Sequence, residues 1–159
     1  FDRFNQWSKW KPGTWIKMKS VVQGIQFGKI QSENQSERKI TVKTVTNKYI
    51  VIVNEQKLED GSIRTGEEKI GKEGNVKQKL PFETGDIGWT EENLIIKNKQ
   101  VKCLVAQKAT FLDNNQAANN IIWYSKEIPG FIVKTYIKTI SQSMEWHTIE
   151  EVVDMEIKY

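Results

Sequence analysis

The sequence predicts a mainly β protein: a curled antiparallel sheet, a half-barrel or open barrel, with a short N-terminal helix. Three observations predict it. About eight to ten short runs alternate apolar and polar residues with period two. Turn-forming pairs such as Asn47-Lys48, Asp60-Gly61, Asn98-Lys99 and Pro129-Gly130 punctuate these runs at short spacing. The first eleven residues break the pattern: Phe1, Phe4 and Trp7 are spaced by three, with Trp10 next, as on one face of a short helix.

Composition bounds the rest. A chain of 159 residues with 38% apolar content supports one ordered domain over residues 1–159. The net charge is +4, yet only Arg3, Arg38 and Arg64 are arginines, and the lysines are scattered singly between acids. Nucleic-acid binders concentrate Arg and Lys in a patch, so no nucleic-acid partner is expected. The lysines read as solvated strand faces and blunted sheet edges. No run approaches the ~20 apolar residues of a membrane helix. Phe1 stands where an initiator Met would, which fits a mature exported protein after signal-peptide removal.

Along the chain, Lys11-Pro12-Gly13-Thr14 ends the helix. Residues 15–24 form the first strand. Residues 25–31 form a second, closing into a polar loop, SENQSE. Residues 38–46 alternate and are rich in Thr and Val. Residues 49–53, YIVIV, are unbroken β-branched and aromatic, which predicts a central strand buried on both faces. After Asp60-Gly61, residues 62–70 return as a polar strand suited to an edge. Residues 71–92 read as an extended connection with one short strand at 76–82. Residues 94–97 and 101–111 make a hairpin around Asn98-Lys99, and DNNQAANN (113–120) reads as a loop. Residues 121–140 carry the strongest signal, two strands around a tight turn at Pro129-Gly130. The tail, 144–158, is the last strand, with a helix around 147–153 as the alternative.

Chemistry is scarce. One His and one Cys cannot build a metal site, which needs three or four protein ligands. Cys103 sits mid-strand in VKCLVA, the place of a buried structural thiol. No G-x-S-x-G elbow or phosphate loop occurs. Adjacent carboxylates such as Glu150-Glu151 point to opposite faces of a strand. No enzyme, cofactor or metal is therefore expected. Trp15, Trp123 and Trp146 read as core or rim packing. Phe4, Trp7 and Trp10 are the candidate contact residues: Trp7 and Trp10 cannot both face the sheet easily, and an exposed pair would anchor a partner or an apolar ligand.

Trp10-Lys11-Pro12-Gly13-Thr14-Trp15-Ile16-Lys17, KQVKC (99–103) and IWYSKEIPGFIVK (122–134) resemble the ends of a family of small exported bacterial proteins, many of them planctomycete. That family is similar to the half-barrel of periplasmic lipoprotein carriers. The resemblance fades over residues 55–95, and Phe131 replaces a glycine. It implies an antiparallel sheet wrapped over a helical lid, with the aromatic N-terminal segment as that lid or plug. Two functions follow. The first is an assembly subunit, pairing an edge or an aromatic face with a protein partner or with itself. The alternative is a carrier holding a lipid or lipoprotein acyl chain, which needs an open apolar cavity. Abundant large fillers (the tryptophans, Phe27, Phe82, Phe111 and Phe131) favour assembly.

Overall fold

The computed structural model describes residues 2–73, 89–112, 116–141 and 143–159. It contains one helix, α1 (Arg3–Ser8), and nine strands: β1 (Trp15–Gln26), β2 (Lys29–Val45), β3 (Tyr49–Lys57), β4 (Ile63–Gly71), β5 (Trp89–Ile96), β6 (Lys99–Leu112), β7 (Gln116–Tyr124), β8 (Ile132–Ser141) and β9 (Met144–Glu156). All lie in one sheet of order β4-β3-β2-β1-β9-β8-β7-β6-β5. Two meanders, β1–β4 and β5–β9, are joined where the first strand pairs antiparallel with the last, from Trp15↔Glu156 to Gln26↔Met144. The sheet curls without closing, so β4 and β5 are its edges. At one end the curl lets Lys97, in the β5–β6 turn, reach Asp154 on β9 at 2.9 Å.

Turn chemistry sets the strand limits. Phe27 and Gly28 both have positive φ (52° and 72°), as a two-residue hairpin turn requires. Residues 25–31 are thus the tip of one long hairpin rather than a strand and loop, and SENQSE lies inside β2. Its polar residues fit because β2 runs past the end of β3 there and is exposed. The β5–β6 turn falls at Lys97-Asn98 (φ 44° and 69°), one residue before the expected pair, since Ile96 is buried and pairs with Lys99. The loop expected over residues 113–120 is strand from Gln116 onward, paired with both β6 and β8. The strand expected at 76–82 lies outside the described residues, as do Phe82 and the side chain of Phe111.

Two further expectations change. β3 is one strand from the edge, not central, and is buried on one face only: Ile50 and Ile52 are enclosed, while Tyr49, Val51 and Val53 are half-buried. An all-apolar run does not reveal that its second face meets only solvent and long side chains such as Lys69 over Tyr49. Residues 125–131, between β7 and β8, form a longer connection that contains the expected tight turn at Pro129-Gly130, with Gly130 at φ +79°. Ile128 and Pro129 are fully buried, so the connection folds inward, held by Ser125 N–Phe131 O and Phe131 N–Ile128 O bonds of 2.8 and 3.0 Å. The tail is strand, with no helix at 147–153.

One face of β1–β4 and β9 carries the core: Ile16, Met18, Ile40, Val42, Ile50, Ile52, Ile70 and Val152. In β5 and β6 the buried positions Ile96, Val101 and Cys103 align, through Trp123 and Lys134, with the opposite face. They belong to the same apolar cluster, so that cluster draws on both faces of the sheet.

The seam between β1 and β9 should therefore dominate stability. Ile16, 2% exposed, pairs with Ile40 on one side and Met155 on the other. Ile16→Ala should cost about 2–5 kcal/mol in urea unfolding. Ile63→Ala, at an exposed edge position, should stay within about 0.5 kcal/mol.

Candidate ligand-binding face under the N-terminal helix

Helix α1 is only six residues long and needs help at its start. Asp2 is its N-cap: Oδ1 accepts from the Phe4 amide at 2.8 Å, and Oδ2 accepts from the Asn5 side chain at 3.2 Å. The helix lies on the face that carries Ile52, because Arg3 forks onto both oxygens of Glu68, the cross-strand partner of Ile52. At its other end Lys9 donates to the Lys126 carbonyl, and the Gly130 amide donates to the Gln6 carbonyl at 3.5 Å.

Trp7 and Trp10 do not form an exposed pair. Phe4, Trp7 and Trp10 are 5%, 5% and 7% exposed and all belong to the core cluster. Helical spacing does not constrain Trp10, because the helix has already ended at Ser8. The chain turns there, and the Trp10 indole folds back to donate to the Gln6 carbonyl at 2.9 Å. Trp7 lies against Gly130, where a Cβ would come within 2.8 Å of the indole and where φ is +79°.

Beside this lies a recess of about 330 Å³, walled by Cys103, Leu104, Tyr124 and Phe131, with exposed Lys102 and Lys126 at its border. Burial pushes the Cys103 thiol up to about 11, with Glu92 and Glu127 adding to the shift and a backbone hydrogen bond at Leu94 opposing it. Such a thiol is not a nucleophile at neutral pH. Burial also raises the Tyr124 phenol. His147 lies far along β9, its Nδ1 2.7 Å from the Tyr136 hydroxyl and its Nε2 3.1 Å from Glu145. That hydrogen bond, with Lys138 nearby, holds Glu145 below the usual carboxylate range. The three groups connect β8 and β9 through side chains on one face.

The other aromatics sit at rims. Trp15 donates to Glu156 at 3.1 Å under Lys39, and Trp123 donates to Glu92 at 2.7 Å under Lys134. Trp146 is 38% exposed and covers Gly24. Phe27, expected as a filler, is 87% exposed, because it occupies a hairpin tip with no strand opposite. Phe131 is half-buried at φ 65° and faces the Lys9 ammonium at 5.2 Å. Among the described residues, no helix is long and apolar enough to cross a membrane, and no group of three or more His, Cys, Asp or Glu is placed to hold a metal.

No protein-family model matches the chain, and no curated protein does. Among solved structures, a domain assigned to outer membrane lipoprotein sorting from Vibrio parahaemolyticus is similar at 9% identity, covering 98% of this chain and 89% of its own, with a TM-score of 0.35. A LolA superfamily protein from Nitrosomonas europaea is similar at 10% identity, covering 99% and 92%, with a TM-score of 0.23.

Two outcomes test this geometry. Gly130→Ala places a methyl group against Trp7 and strains the backbone, so it should loosen the helix and shift tryptophan emission to the red, with a loss of roughly 1–3 kcal/mol. Cys103 should resist thiol reagents at pH 8 in the native protein and react in denaturant. Because its folded pKa is raised, its contribution to stability is complete below the unfolded value, near 9, and is lost as pH climbs toward 11. Cys103→Ala should remove that part of the alkaline instability.

Proposed function

We propose that the protein is a non-catalytic carrier of an acyl chain or similar apolar ligand, and that α1 is the stopper such a ligand displaces. One observation supports this most: the large rings filling the face under the helix come from the N-terminal segment, not from the strands. A face filled by its own strands is closed for good. A face filled by Phe4, Trp7 and Trp10 empties when that segment lifts. The helix is too short to persist alone. Its polar attachments, Arg3–Glu68 and Lys9–Lys126, are exposed and weak. The rings therefore act as an internal ligand, and an external apolar chain competes for the same surface. An extracytoplasmic location belongs to the same proposal.

The open edges β4 and β5, with Ile63, Trp89 and Ile95 exposed on them, support an assembly subunit as the second reading. A 16-carbon fatty acid and native mass spectrometry separate the two. The carrier should bind one chain per monomer. Trp7→Ala should bind it about tenfold more tightly, because a weaker stopper raises the fraction of open protein. Stable oligomers, with no bound chain in either form, would favour assembly and end the carrier reading.

A further inference from the structure

We propose that the end of the sheet next to α1 is a binding site for a phosphate-type anion. Five lysines from four segments converge there on a basin of about 610 Å³: Lys9 at the helix C-cap with Lys11 just beyond it, Lys99 after the β5–β6 turn, Lys126 in the β7–β8 connection and Lys158 after β9. Among the described residues, Glu127 is the one acidic side chain on the wall, and Trp10 and Tyr159 supply its aromatic part. In sequence these lysines are isolated charges. In space they form a cluster of one sign, which is self-repelling unless something negative sits among them.

The partners already present do not neutralise the basin. Lys9 donates to the Lys126 carbonyl and lies 4.4 Å from the Trp10 ring centre. Lys11 donates to the Tyr159 backbone oxygen. Both partners of Lys9 are uncharged. Lys158 pairs with Glu156. Among the described residues, Lys99 and Lys126 have no carboxylate partner. Lys9 is partly desolvated, and burial followed by the nearby Lys126 charge lowers its pKa, with Glu127 working the other way. A bound anion would offset the Lys126 repulsion.

The donor set selects the ligand class. Ammonium groups are compact point charges with several N–H donors each, and they suit a group with several anionic oxygens better than a single planar carboxylate. A phosphate monoester, a diphosphate or a phospholipid headgroup shares that chemistry, and the Trp10–Tyr159 wall would meet its carbon portion. The site does not depend on the carrier reading, since a soluble phosphate compound would use the same lysines.

The test compares three folded proteins, checked by circular dichroism: the parent, Lys99→Gln with Lys126→Gln, and Lys29→Gln with Lys57→Gln. The two variants have equal net charge, and only the first touches the basin. Each is titrated with inorganic pyrophosphate, with phosphatidylglycerol vesicles and with phosphatidylcholine vesicles. The basin variant should bind the anionic probe roughly thirtyfold more weakly, each lysine near an anionic surface contributing about fivefold, while the control stays near the parent. Loss confined to phosphatidylglycerol assigns a lipid headgroup, and loss on pyrophosphate assigns a soluble phosphate. Equal weakening in both variants, or no binding of either anionic probe by the parent, overturns the proposal. Failure of fatty-acid binding leaves this result unaffected, so the two proposals fail separately.

Discussion

The pairing of β1 with β9 is the contact on which the rest of the molecule depends. Among the described residues it is the one place where the N-terminal meander meets the C-terminal one in the sheet, and it joins residues near opposite ends of the chain. Closing so long a loop costs entropy that only a well-packed interface returns. Here Ile16 and Met18 meet Met155 and Val152, with a bulge at Lys17/Met18 that bends the strand. The seam continues past the strands: Thr14 is fully buried, its carbonyl accepts from the Val42 amide at 2.8 Å, and its hydroxyl accepts from the Lys158 amide at 3.0 Å.

That extension positions both candidate sites. Helix α1 is separated from β1 by a few residues, including Gly13 at φ +90°, so the seam sets where the helix can land. The same junction brings Lys11 beside Tyr159 and Lys158 beside Gly13. The buried aromatic cluster of the N-terminal segment and the lysine basin are thus two consequences of one long-range pairing.

Magnitudes decide what holds the helix down. Burying a large apolar side chain is worth about 1.5–3 kcal/mol, and three rings are buried. An exposed ion pair such as Arg3–Glu68, with side chains 52% and 44% accessible, contributes under about 1 kcal/mol. The rings dock the helix, and the ion pair orients it. Docking by apolar contact is non-directional, so a flexible hydrocarbon can replace it more readily than it could a fitted polar network.

Local pattern determined the class of this protein. Period-two alternation from Trp15 onward, the Asp60-Gly61 turn, the polar return strand β4 at an edge and the aromatic start of the chain were all readable, because each depends on neighbours a few residues away. The candidate residues Phe4, Trp7 and Trp10 were readable as a group, but their burial was not: Trp10 leaves helical spacing and turns inward only because the sheet supplies a surface to cover. Strand character in SENQSE and in residues 116–120 was hidden, since a strand with a solvated face or edge carries no apolar signature. The meeting of β1 with β9, the inward fold of residues 125–131 and the convergence of Lys9, Lys99, Lys126 and Lys158 were decided by tertiary structure alone. No local rule links residues so far apart in the chain; their contact exists only once the curled sheet brings its two ends together.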